Sequence, residues 1–114
     1  MKICVICGFK FNVEYNIGMQ KDMKRKTSFG TMEPLFEKDG HIVSEVLIFE
    51  KEGRGHKHPL WEICYVTEGK GVIVNGDERE QVKKGSVCKI APNTDHWMIP
   101  EDHMEVLLVY SPNP

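Results

Sequence analysis

From residue 31 onward the chain alternates short apolar runs with turn residues. Met32 to Glu37 is the weakest run, interrupted by Pro34 and closed by Asp39-Gly40. Ile42 to Glu50 is rich in β-branched and aromatic residues, and in an extended segment Val43, Glu45, Leu47 and Phe49 share one face. Gly53-Arg54-Gly55 is a loop. Glu62 to Thr67 predicts a strand, Glu68-Gly69-Lys70 a tight turn, and Gly71 to Val74 a second strand that runs into Asn75-Gly76, a strong hairpin signal. Glu78 to Val82 returns, Lys83-Lys84-Gly85 turns again, and Val87 to Ala91 is apolar with one lysine. After a loop at Pro92-Asn93-Thr94-Asp95, His96 to Ile99 and Glu105 to Tyr110 close the series, and Ser111-Pro112-Asn113-Pro114 reads as a stop. Short strands at this spacing, with Gly, Asn and Pro turns between them, predict an all-β sandwich or barrel. No helical period of useful length follows residue 30, which argues against a helix-turn-helix module in the second half.

Ahead of this series lie two apolar runs around Gly8, Ile3 to Cys7 and Phe9 to Val13, either of which suits a strand. Met19 to Lys26 is polar and fits a helical turn or a loop equally well; its basic residues Lys21, Lys24, Arg25 and Lys26 read as a solvated loop. The division that results is a segment over residues 1–30, with edge strands or an arm exchanged between subunits as its candidate roles, and a barrel over 31–114.

Composition narrows the function classes. The 114 residues suffice for one domain with its own core, and 40% hydrophobic and 28% charged residues describe a globular chain. A net charge of −2 offers no handle for non-specific nucleic-acid binding. No apolar run approaches membrane-spanning length. The apolar start is cut short by Lys10 and lacks a small-residue cleavage site, so it does not read as a signal peptide. The expected compartment is the cytoplasm, where the four cysteines stay reduced.

The chemistry concentrates in Gly55-His56-Lys57-His58-Pro59-Leu60-Trp61-Glu62. Side chains at i and i+2 of an extended segment point the same way, so His56 and His58 can reach one point in space. Pro59 has no backbone N–H and ends the ladder, letting the chain turn and bring Glu62 back at the start of the next strand. Two imidazoles and a carboxylate make a first set of ligands for Zn, Fe, Mn, Ni or Cu.

His56, His58, Glu62 and Gly69, followed by Gly85 and His96, resemble the two sequence motifs of the cupin superfamily. The departures are Glu50 at the opening glycine of the first motif and, in the second, Ala91 for a proline, Asn93 for a glycine and Pro100 for the final asparagine. Asn93 is the mildest, because Asn tolerates the left-handed conformation that such a turn needs. The resemblance spans about residues 42–110 and implies a jelly-roll barrel (a double-stranded β-helix), often homodimeric. It implies one divalent transition metal inside, held by His56, His58, Glu62 and His96, with Mn, Fe, Ni, Co and Zn all suited to that set. Four protein ligands leave a six-coordinate metal two positions for a small-molecule substrate.

Other residues have plainer readings. Cys4-Val5-Ile6-Cys7 is a C-x-x-C whose flanks suit a buried strand, with metal or redox chemistry as the alternative. Cys64 and Met98 share parity with Glu62 and His96 and face the interior; Val66, Val72 and Val74 read as core. Trp61 and Trp97 adjoin proposed ligands and point away from the metal. His41 and His103 read as loop histidines. No separate acid–base residue stands out, Tyr65 and Cys64 being the nearest titratable groups. The functional expectation is a small-molecule metalloenzyme of dioxygenase, isomerase or decarboxylase type, with a non-catalytic binding or sensing barrel as the alternative and a structural metal as a weaker third reading.

Overall fold

The computed structural model describes residues 24–112. The expected strands at Ile3 to Cys7 and Phe9 to Val13, the Cys4/Cys7 pair and Lys21 lie outside them. Among the described residues there is no helix, and so none long and apolar enough to cross a membrane. Seven strands of the described residues form one antiparallel sheet that curls into a β-barrel: β1 (Arg25–Lys26), β2 (Gly30–Lys38), β3 (His41–Phe49), β4 (Trp61–Asn75), β5 (Glu78–Lys83), β6 (Val87–Ile90) and β7 (His96–Ser111). Their order is β1-β2-β3-β7-β4-β5, with β6 paired to β4. The region read as a helical turn or loop thus contains a short edge strand, Arg25–Lys26, paired with Met32 and Thr31.

The long pair β4/β7 is the spine of the molecule, in register from Trp61↔Ser111 to Asn75↔His96. It corrects two expectations. Glu68-Gly69-Lys70 is no turn, and β7 does not break between Ile99 and Glu105; both strands run through. The turn chemistry serves a bend instead, with register shifts between Val66 and Glu68 and between Gly69 and Gly71. Gly69 has φ 78°, and a Cβ there would lie 2.0 Å from the His103 carbonyl oxygen, so only glycine lets the strands approach this closely.

The bend also inverts the strand's parity. Glu62, Cys64 and Val66 face inward before it, and Ile73, opposite Met98, faces inward after it. Ile73 therefore takes the core place expected of Val72, which is only half-buried. Val74 is buried but stands apart from the main core cluster. That cluster joins Leu47 and Phe49 of β3, Val66 and Ile73 of β4, Ile90 of β6, and Met98, Met104, Val106 and Leu108 of β7. Each such aliphatic side chain contributes roughly 1.5–3 kcal/mol of burial free energy.

Candidate metal centre

Three segments bring the cluster together. β4 begins one residue before Glu62, β7 begins at His96, and the loop between β3 and β4 carries His56 and His58. That loop is not a strand, but His56 and His96 form an isolated antiparallel bridge, with His56 N–H donating to His96 O (3.2 Å) and His96 N–H to His56 O (3.0 Å). Past this bridge the loop is pinned again where the Asn93 amide donates to the His58 carbonyl at 2.7 Å. Asn93 adopts φ 59°, the left-handed conformation expected of it. Two backbone anchors thus hold the loop, and Glu62 follows it at the start of β4.

One ligand-type atom from each of His56, His58, Glu62 and His96 lies within 4.8 Å of the others. Glu62 Oε1 is the hub, 3.0 Å from His58 Nε2 and 3.1 Å from His96 Nε2, while the Cys64 thiol donates to Oε2 at 3.3 Å. Burial is graded: Glu62 and His96 are each 1% exposed, His58 is half-buried and His56 exposed. Outer contacts fix two of the rings. His96 Nδ1–H donates to the Thr94 carbonyl (2.8 Å) and His56 Nδ1–H to the Arg54 carbonyl (3.3 Å); a carbonyl only accepts, so each Nε2 is left as the nitrogen able to bind a metal. His58 Nδ1 is buried with no partner among the described residues.

The electrostatics follow from this crowding. Burial pushes the Glu62 carboxyl up, but hydrogen bonds and charge from His96, with His58 and Cys64, outweigh it and hold Glu62 below the usual carboxylate range. Burial pushes His96 down, but the Glu62 hydrogen bond and charge, with the Thr94 carbonyl and Asp95, carry it above an ordinary histidine. Burial, reinforced by the Glu62 charge, drives the Cys64 thiol and the Tyr110 phenol far upward, so both stay protonated. Without an ion, two imidazole N–H groups converge on one carboxylate oxygen. A divalent cation suits the same atoms once each Nε2 presents its lone pair, so the donor set fits a metal.

Beside the cluster lies a cavity of about 160 Å³, small against the ~300–1,000 Å³ of ordinary ligand pockets. His56, Glu62 and His96 line one part of it; Leu47, Phe49, Met98 and Leu108 give an apolar wall, and Arg54 and Trp97 also border it. Met98 and Cys64 are buried as their parity predicts. Trp97 faces off the cluster, its indole N–H donating to Glu52 Oε2 (2.9 Å), yet its ring still forms part of the wall. His41 and His103 are exposed and sit on strands, not loops.

The acid–base candidates change. Tyr65 is on the outer face and 42% exposed, so it is removed from the site. In its place the structure puts Glu45 and Tyr110, both in the cavity wall, with the Tyr110 hydroxyl donating to Glu45 Oε2. The Tyr110 ring stands edge-on to His58, centroids 5.5 Å apart, between Glu45 and the cluster. The signal for Glu45 was present in the sequence as a lone acid among Val43, Leu47 and Phe49 on one apolar face. Tyr110 had none, since only strand register places it opposite Glu62.

A family described as "Cupin domain" matches residues 46–110. The chain is a cupin. This cupin is 32% identical over 89 residues to the uncharacterized protein MJ1618 of Methanocaldococcus jannaschii, covering 62% of its own length and 71% of that protein. Its fold is similar to the crystal structure of a Thermotoga maritima protein described as a predicted oxalate decarboxylase (TM-score 0.64, 22% identity, 71% of this chain and 78% of that one). It is also similar to a cupin-like protein of the same organism (TM-score 0.62, 25% identity, 79% and 77%). At these identities the structural likeness speaks for the barrel alone.

Proposed function

We propose that this cupin holds one divalent transition metal on His56, His58, Glu62 and His96 and acts on a small molecule bound beside it, as an enzyme of dioxygenase, isomerase or decarboxylase type. The observation that carries the reading is the convergence of four ligand-type atoms within 4.8 Å at the wall of a cavity. Three imidazole nitrogens and one carboxylate suit Mn, Fe, Co, Ni and Zn. Bound there, the metal would supply Lewis-acid or redox chemistry to a chelating substrate. The chain's own residues do the rest. Thr94 and Arg54 carbonyls hold two rings in the ligating tautomer, and Cys64 hydrogen-bonds the Glu62 oxygen that faces away from the histidines. Leu47, Phe49, Met98 and Leu108 keep water from the substrate's body.

A barrel that binds without turnover is the second reading, and it uses the same four ligands and the same small, largely apolar cavity. Two further expectations have structural support. Cys64 and Cys88 are opposite each other on β4 and β6, both free thiols, which suits a reducing cytoplasm. Val46, Leu107, Tyr65 and Val87 follow one another in register across the outer face, and Val87 is 61% exposed, which suits a homodimer contact. The deciding experiment is metal analysis of the protein as purified, followed by O₂ uptake and product analysis with thiols, enediols and dicarbonyls. Absence of any bound transition metal after growth in supplemented medium would sink the proposal; tight ligand binding without consumption would select the second reading.

A further inference from the structure

Glu45 is an expensive residue to place where it is. It is 4% exposed on an inward strand face whose neighbours Leu47 and Phe49 are core, and buried carboxyl oxygens are normally hydrogen-bonded. Only half of it is. Oε2 accepts from the Tyr110 hydroxyl, while Oε1 is buried with no partner among the described residues. Glu45 belongs to the wall of the same cavity as His56, Glu62 and His96, and Tyr110 separates it from His58. A purely structural carboxyl in an apolar core would have both oxygens answered, or would be replaced by an apolar residue at lower cost. We infer that Glu45 Oε1 is the far end of the binding site and accepts a hydrogen bond from a hydroxyl or ammonium group on a small ligand whose other end chelates the metal.

This rests on the metal reading above and narrows its substrate class. The ligand has a chelating head, a short body of a few carbons against Leu47, Met98 and Leu108, and a donor at its tail. Arg54 in the cavity wall makes an anionic head favourable. Tyr110 acts as a positioning residue: its hydroxyl holds Oε2 and so aims Oε1. A site built to hydrogen-bond a hydroxyl rejects the analogue that lacks it, because the buried acceptor is then left unpaired.

Cobalt-loaded protein tests this with matched 2-oxo acids: 2-oxobutanoate against its 4-hydroxy derivative and 2-oxopentanoate against its 5-hydroxy derivative. Affinity is read from the cobalt visible spectrum and by calorimetry. The wild type is expected to bind at least one hydroxylated member about tenfold or more tighter than its partner. Glu45→Gln, which puts an amide in place of the carboxyl beside Tyr110, should lower that ratio several-fold with cobalt stoichiometry unchanged. Glu45→Asp, whose oxygens are drawn back by one methylene, should lose discrimination at four carbons and regain part of it at five, which a merely structural role would not produce. Equal affinity within both pairs in the wild type, binding of neither pair, or a ratio untouched by Glu45→Gln and Glu45→Asp overturns the inference while leaving the metal centre standing. Failure of the wild type to bind cobalt overturns the metal reading and this inference with it.

Discussion

The four candidate ligands fall into two kinds. Glu62 and His96 stand at the starts of β4 and β7, each 1% exposed, Glu62 paired with Ile90 and Tyr110 and His96 with Asn75. His56 and His58 stand on a loop, one exposed and one half-buried, held by two backbone hydrogen bonds to His96 and one from Asn93. The strand pair meets as a nearly water-free acid–base couple, with His96 raised and Glu62 lowered by one another. The loop pair completes the set from the solvent side. Paired strands give half the centre its position, and the more exposed loop brings up the other half through its backbone anchors to His96 and Asn93.

The sharpest way to break this contrast is at the strand pair. His96→Ala should abolish metal retention after dialysis, and Glu62→Ala should do the same while lowering the stability of the metal-free protein by about 3–5 kcal/mol in urea, because it strands a buried partner. Unchanged metal stoichiometry in His96→Ala would remove it from the ligand set. Next in size is Gly69→Ala, which meets a backbone carbonyl at the bend shared by the two strands; a loss of at least ~2 kcal/mol is expected in the same denaturation measurement. His56→Ala should weaken metal binding without abolishing it and shift thermal stability by less than ~0.5 kcal/mol, as for other exposed positions. A larger loss of stability than for Glu62→Ala would erase the distinction between the two kinds. Asn93→Ala, which keeps the amide to His58 but strains a left-handed residue, should cost about 1 kcal/mol and affect only the loop side.

Acidity separates the two halves as well. His96 is raised in the folded protein, so its stabilisation is complete below the ordinary value of 6.5 and is lost as pH rises through its folded pKa. Glu62 is lowered, so its contribution is present above 4.5 and is lost as pH falls through its folded pKa. In the metal-free protein both contributions are therefore in force between about 4.5 and 6.5. Metal binding runs the other way, because it requires His96 to give up a proton, and affinity should fall as pH drops below that raised pKa. Chelator-treated and metal-loaded samples should thus show opposite trends in thermal stability on going from slightly acid to slightly alkaline pH. Parallel trends would exclude His96 from the cluster's titration.

Much of this was legible in the sequence, for identifiable reasons. The H-x-H, the glutamate four residues on and the later His96 are local or motif-level signals, and the structure gathers all four. Period-two alternation found the barrel and the inward faces of Cys64 and Met98. What alternation could not see was the bend. A Glu-Gly-Lys run reads as a turn unless a partner strand bends with it, and β7 does so some 30 residues away. One inserted residue there exchanges Val72 for Ile73 in the core. Glu45 was placed on the right face but not weighed, and Tyr110 enters the site only through its pairing with Glu62.

The β4/β7 pair also sets the order in which the molecule can be assembled. Asn75↔His96 joins residues 21 apart in the chain, and Trp61↔Ser111 joins residues 50 apart, with β5 and β6 enclosed between the strands. Closing the shorter loop costs less chain entropy, so pairing starts near the His96 end and zips outward. Glu62 is then placed in two stages, first against Ile90 of β6, 28 residues on, and then against Tyr110 of β7, 48 residues on. The centre matures as the barrel finishes closing, and an ion loaded into it would act as a lock on a completed fold rather than as a seed for one.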